Sequence, residues 1–484
     1  MGFKWVHKSL FLTISLLLVA GCSAGPAAKE KETQQSLKVM FGDEGYFYQT
    51  YGDLFAMKYP NIDIEVVSTN SLYNGEQTDM DKAFSDFVEK EQPDVIMMDN
   101  NNFEKFTSEG KLMELDTLID KDKYSTDTIF PGLLEMLKEK GGGKLYGLAP
   151  SFYGSVIYYN ADLFAKYGVE VPHDGMTWQE ILETARRFPA DGDEKTRIYG
   201  YGEQYGGTTL ENLASRIAST QGLKAINPDT MKITLDTDSW KQTYKLAQDA
   251  LASNAIYNPK DGGFQGGTME EYYQSQPFLM GRMAMTVDGV YFLQNLKQAK
   301  SSIKDYKPFQ IGIAAGPADP ANPDTSRDIY LGRIFGIRAN SPNVDAAWEF
   351  MKFVNGDEYA KIKSRTMNDG VLSRMGMSKE FDGVSLDAFY KLKPSPEDTY
   401  RNMEKIPNDF YNQYYPIVSK EIGLVESKSK SVDEALKAIQ QEGQVILDKA
   451  VKDQASKKDS DSAEGAGDGA AEGPSITVET KSAN

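Results

Sequence analysis

Histidine occurs twice and cysteine once in this chain of 484 residues. A single cysteine excludes an intramolecular disulfide, a cysteine zinc cluster and an iron–sulfur centre. The two histidines, His7 and His173, leave little material for a histidine metal site or a histidine-based triad. Basic residues are outnumbered, 53 Lys and Arg against 71 Asp and Glu, for a net charge of −18. Such a chain repels a phosphate backbone at long range, which argues against nucleic acid as a partner. Phosphate loops are missing: Gly141-Gly142-Gly143-Lys144 lacks the Walker spacing, and no GxGxxG follows a strand pattern. No heptad run or internal repeat is present. The rest is ordinary for a globular protein, with 40% hydrophobic and 26% charged residues, enough for a sizeable core. The length allows two or three domains, or one large two-lobed body.

The N-terminus carries an address. Lys4, His7 and Lys8 precede the apolar run Ser9–Ala20. That run is about a dozen residues long, against the roughly 20 that span a bilayer, so it reads as a signal-peptide core over residues 1–21. It ends in Val19-Ala20-Gly21-Cys22, small residues directly before the single cysteine. This resembles the bacterial lipobox, and implies cleavage before Cys22 and lipidation of its thiol. Residues 22–35 are small, polar and non-periodic, as expected of a lipidated flexible tether. From 453 to 484 the chain is rich in Ser, Asp, Gly, Ala, Glu and Lys, the composition of a disordered acidic tail.

Between these ends strands and helices alternate. Leu37–Phe41, Ile62–Val67 and Asp94–Met98 have strand patterns. Phe47, Tyr51, Leu54, Phe55 and Met57 recur at helical spacing between the first two, and Met80–Lys90 predicts a helix before the third. The alternation predicts an α/β fold with a parallel sheet. Thr177-Trp-Gln-Glu180 and Ser431-Val-Asp-Glu434 are capping boxes that open apolar-periodic helices. Asn160 is placed to cap a helix over Ala161–Tyr167. Gly281–Met285 reads as a turn followed by a buried strand, with Asp288–Tyr291 just beyond it.

Chemistry-bearing groups are sparse. His173 sits in a loop-like Pro172-His-Asp-Gly175, and Asp319–Asp324 has the acidity but not the pattern of an EF-hand calcium loop. No cofactor or metal is expected. Pairs of carboxylates are too numerous in an acidic chain to single one out. The 27 tyrosines offer flat apolar faces joined to hydroxyls, which suits a ligand such as a pyranose ring.

A set of segments in fixed order resembles a known family. They include Pro93-Asp-Val-Ile-Met-Met-Asp99, Gly110–Asp116, Lys144-Leu-Tyr-Gly-Leu-Ala-Pro150 and Val156-Ile-Tyr-Tyr-Asn160. Leu163–Gly168, Thr177-Trp178, Gly281–Met285 and Ala346-Ala-Trp-Glu-Phe350 follow. Together, behind a lipobox, they resemble the extracellular solute-binding lipoproteins of carbohydrate ABC importers, a family that includes maltose-binding protein. The resemblance covers roughly residues 36–452.

It implies a two-lobed, type II periplasmic-binding-protein-like α/β fold, hinged, with a ligand cleft at the lobe interface. Lobe 1 is expected over 36–148 and 332–376, and lobe 2 over 149–331 and 377–452. The implied function is capture of a sugar or oligosaccharide and delivery to ABC permease subunits by a non-enzymatic, monomeric receptor, lipid-anchored on the extracytoplasmic face. Position by position, the resemblance points to Asp43, Asn101, Tyr153, Tyr205, Tyr291 and Tyr415 as cleft residues. Asp43 keeps an acidic residue, whereas Glu44 stands where the pattern has lysine. Asn101 stands for an aspartate, Tyr153 for a glutamate, and Tyr291 and Tyr415 for stacking tryptophans. Two alternatives stay open: the same fold carrying a non-carbohydrate solute, and a surface polysaccharide hydrolase or lyase.

Overall fold

The computed structural model describes residues 34–73, 80–193, 196–204, 207–259, 263–395, 397 and 401–464. Cys22 and the expected signal segment therefore lie outside the described residues, as does Tyr205. The chain packs into two compact units. One holds the residues up to Met97 with Gly336–Val354, the other Met98–Phe335 with Asn355 onward. The lobes implied by the resemblance are drawn at other residues and stay a proposal.

In the first unit, strands Gln35–Phe41 and Ile62–Ser68 pair in parallel from Gln35↔Ile62 to Phe41↔Ser68. Val95–Met98 joins the other side of the first strand, also in parallel, with Val39↔Val95. The Gly336–Ile337 end of strand Ile334–Ile337 completes the sheet. One face of the first strand is apolar and buried, through Leu37, Val39 and Phe41, and Met40 is buried on the other. Asp94, 2% exposed, accepts the amide of Lys38 (2.8 Å), the Ser341 hydroxyl (2.7 Å) and the Asn343 amide (3.1 Å), so its buried charge is fully partnered.

The helix expected from Phe47 to Met57 is interrupted. An α-turn over Glu44–Phe47 passes through a π-turn at Tyr48–Gly52 into the helix Asp53–Lys58. The wider turn keeps Phe47, Tyr51 and Phe55 in one buried stripe but rotates Met57 out, where it is 82% exposed.

The second unit is built on a mixed sheet ordered Ile311–Ala315, Ser155–Asn160, Met283–Gly289, Tyr199–Tyr201. The first three strands are antiparallel neighbours and the last is parallel to Met283–Gly289. Asn160 ends its strand and caps the helix Ala161–Tyr167, accepting the Leu163 amide at 3.2 Å. Its own amide donates to the Gly281 carbonyl at 3.3 Å, which ties the helix start to the turn before the central strand. Both expected capping boxes form, and a third, Thr268 with Glu271, was not anticipated. Helices Trp178–Ala185, Leu210–Thr220, Asp238–Ala252 and Asn408–Glu426 contribute to one apolar core with the sheet. The helix Val432–Glu464 runs past residue 453, where composition had placed the start of a tail. Once nucleated on its buried Leu436, Ile439 and Leu447, a helix propagates through Lys, Asp and Ala at little cost.

Candidate functional site

A cavity of about 540 Å³ lies within the second unit. Four pieces of backbone build it. Asp99 caps the helix Asn100–Ser108, accepting the Asn102 amide at 2.8 Å, and thereby sets Asn100 and Asn101 on the wall. Trp178 enters from the first turn of its helix, and Arg216, Ser219 and Thr220 from the last turns of Leu210–Thr220. The segment Arg327–Gly332 forms the fourth side.

Two of the lining residues are aromatic. Trp178 is 3% exposed, lies edge-on to Tyr201 at 5.7 Å and donates its indole N–H to Thr220. It serves as core and cavity wall at once. Tyr330 is 52% exposed and its ring stacks on Tyr153 with centroids 5.2 Å apart. Tyr291 flanks Tyr153 at 6.1 Å, and its hydroxyl donates to the Asn368 carbonyl at 3.0 Å.

Charged residues line the cavity as well. Arg216 lies 3.8 Å from Glu203 and donates to the Val287 carbonyl at 3.4 Å. Burial works against its charge, but Tyr201, Glu203, Asp328 and Asp288 around it hold its pKa above the usual arginine value. The carboxyls respond in kind. Burial raises Glu203, and Asp288 adds to it, against the pull of Arg216. Burial pushes Asp288 up to about 6, opposed by the Gly289 amide and by Arg216. Burial likewise raises Asp328, opposed by Arg216 and a hydrogen bond with Ser155. Arg327 is differently placed: its guanidinium is taken by the Thr220 carbonyl (2.9 Å), Asp319 (2.7 Å) and Glu397 (2.6 Å). Asp319, the first acid of the calcium-like stretch, is thus committed to an arginine. Among the described residues, no group of three or more His, Cys, Asp or Glu is arranged to hold a metal ion.

Of the residues expected from sequence, the cavity brings Asn101 onto its wall and has Tyr153 behind Tyr330, with Tyr291 beside Tyr153. Asp43 lies in the first unit, where it accepts the Tyr46 amide at 2.8 Å and caps the short turn Glu44–Phe47. Tyr415 is 56% exposed on the helix Asn408–Glu426, stacked on Tyr411 at 5.6 Å, and does not line the cavity. Sequence reasoning missed Tyr330, Arg216 and Asp328. Asp328 and Tyr330 are two residues apart in Asp328-Ile-Tyr-Leu-Gly332, an alternation of polar or aromatic with apolar residues that was there to be read.

The family model for bacterial extracellular solute-binding proteins matches residues 27–361, more than half of the chain. The chain belongs to that family. An arabinooligosaccharide-binding protein of Bacillus subtilis is 25% identical over 361 residues, which cover 73% of this chain and 77% of that protein. Among solved structures, an extracellular solute-binding protein of family 1 from Alicyclobacillus acidocaldarius superposes with a TM-score of 0.58. It is 15% identical and is matched over 86% of this chain and all (100%) of its own. An ABC substrate-binding protein from Listeria monocytogenes, solved in complex with cycloalternan, superposes with a TM-score of 0.51 at 18% identity. That match covers 86% of this chain and 99% of the other. These likenesses give this solute-binding protein the type II periplasmic-binding-protein-like fold. The family is extracellular, its members and these neighbours are binding proteins, and no described helix is long and apolar enough to cross a membrane.

Proposed function

We propose that this solute-binding protein captures a neutral sugar or oligosaccharide and passes it to the permease subunits of an ABC importer, with no chemistry of its own. The observation that carries the reading is the make-up of the cavity. An exposed tyrosine ring, Tyr330, shares it with the hydrogen-bonding groups of Asn101, Arg216 and Asp328. A sugar needs that combination, an apolar surface for its C–H face and donors and acceptors for its hydroxyls. The arabinooligosaccharide-binding relative supports the ligand class. Three carboxylates around Arg216 disfavour an anionic solute at that end.

Asp43, Tyr153, Tyr205, Tyr291 and Tyr415 remain proposed ligand residues beside Asn101. Capture by closing of two lobes, divided near residues 148, 331 and 376, belongs to the same proposal. So do a monomeric state and an anchor on the extracytoplasmic face through lipid on Cys22. Isothermal titration of the mature protein with arabinotriose, maltotriose and xylotriose tests the reading. Heat of saturable binding to at least one is expected. Silence with all three, alongside binding of a polyamine such as spermidine, would replace it with the non-carbohydrate alternative.

A further inference from the structure

We propose that Tyr330 is the ring on which the sugar stacks, and that Gly332 sets its position by leaving room for Tyr153 behind it. The inference rests on the sugar-binding reading and specifies the residue that reads the ring. Two of the residues lining the cavity are aromatic, Trp178 and Tyr330. Trp178 is 3% exposed and can offer a ligand little more than an edge, whereas Tyr330 is 52% exposed. Tyr291 and Tyr415 are exposed but do not line the cavity.

The backbone holds Tyr330 ready. Tyr153 donates its amide to the Tyr330 carbonyl at 2.9 Å, and Tyr330 donates back at 3.0 Å, the paired bonds of an antiparallel bridge. One face of the Tyr330 ring is covered by Tyr153, with planes 22° from parallel. A ligand is therefore excluded from that face, and the ring cannot tip backwards without displacing Tyr153. The whole stretch Arg327–Gly332 lines the cavity, so Asp328 sits on the same wall, two residues from Tyr330, as an acceptor for sugar hydroxyls.

Gly332 is the positioning residue. A Cβ there would come within 2.7 Å of the Tyr153 ring, closer than side-chain atoms tolerate. The backbone at Gly332 does not have positive φ, so alanine is conformationally allowed and acts through that clash alone. Pushed aside, Tyr153 would no longer support Tyr330 in the orientation the sugar meets.

The test uses titration calorimetry on the full mature chain with arabinotriose, maltotriose and xylotriose. Tyr330→Ala and the bulk-preserving Tyr330→Leu should each raise Kd about 10- to 100-fold, and Tyr330→Trp should stay within about threefold of wild type. Gly332→Ala should raise Kd about 5- to 20-fold in the wild-type background and less than about twofold in a Tyr153→Ala background, since its effect passes through that ring. A folded Tyr330→Leu protein with unchanged Kd overturns the stacking role. An equal Gly332→Ala effect in both backgrounds overturns the positioning role. If the wild type binds none of the three sugars, the sugar reading fails and this inference with it; if it binds one and Tyr330 is indifferent, only this inference fails.

Discussion

The indole N–H of Trp178 donates to the hydroxyl of Thr220 across 2.9 Å, joining the first turn of one helix to the last turn of another. The same hydroxyl donates to the Arg216 carbonyl at 3.1 Å, so both of its roles are filled. Both residues are buried, and both line the cavity. The bond therefore fixes the shape of the ligand site and part of the core in one contact.

Replacing Trp178 by phenylalanine removes that donor and about half of a fused ring system. The Thr220 acceptor is left unpaired in a buried setting, and a void opens beside Tyr201. The expected loss of stability is about 2–4 kcal/mol. Thr220→Val breaks the same hydrogen bond without the void and should cost about 1–2 kcal/mol. Urea unfolding, followed by far-UV circular dichroism, separates the two. Equal losses in both variants would mean that the void contributes nothing.

The first unit was the easier part to read. Its strands are short apolar runs whose parallel pairing follows from the helices between them; in the second unit, Asn160 and Thr177 announce helix starts by residue type alone. The π-turn at Tyr48–Gly52 was not legible, because a 3.6-residue period fitted through Met57 nearly as well as the true stripe of Phe47, Tyr51 and Phe55. The site was legible in kind rather than in place. Asn101, Tyr153 and Tyr291 fall on or next to the cavity, since loops after strands are where ligands gather. Tyr330 and Arg216 meet there only through packing between residues 114 positions apart, a relation no local pattern encodes.

The carboxyl of Asp288 gives the protein a pH signature. Burial raises it to about 6, despite the Gly289 amide and Arg216, while its unfolded value stays near 3.8. Between those values the native state holds the proton more tightly than the unfolded chain. Its contribution to stability is therefore full below about pH 4 and lost as pH rises through about 6. Asp288→Asn should leave stability unchanged near pH 4 and raise it by about 1–3 kcal/mol near pH 8. The asparagine oxygen can still accept the Gly289 amide. Denaturant midpoints measured at half-unit steps from pH 4 to 8 test this, and a difference that does not vary with pH would contradict it.

The anchor can be tested apart from the binding site. Val19-Ala20-Gly21-Cys22 offers one thiol as lipid acceptor, and the polar stretch after it has no apolar surface to hold a bilayer. In cells, Cys22→Ser should abolish labelling by a radioactive fatty acid and move the protein from the membrane fraction to the medium or to an unprocessed precursor. Sugar affinity should be unchanged, because the residues proposed to bind the sugar do not include Cys22. A wild-type protein that takes up no fatty acid would rule out the lipoprotein assignment and leave the receptor reading standing.

Receptor and hydrolase make opposite demands on the ligand. A ligand that binds only the folded state adds about 2.7 kcal/mol of stability at 100 times its Kd, and a receptor keeps that gain indefinitely. A glycosidase would show the same gain only until its substrate was gone. Hydrolysis needs two carboxyls flanking one bond, roughly 5–5.5 Å apart for retention or 6.5–9.5 Å for inversion. The cavity has Asp328 on its wall, and Arg216 opposes the burial that raises Asp328, Glu203 and Asp288. A guanidinium that favours their charged forms suits them to accepting hydrogen bonds from hydroxyls. Incubation of the best-binding trisaccharide overnight with an excess of protein should therefore return it intact by mass spectrometry, with the thermal shift undiminished. Shortened or unsaturated products that disappear in Asp328→Asn would instead make Asp328 a catalytic acid or base and the protein an enzyme.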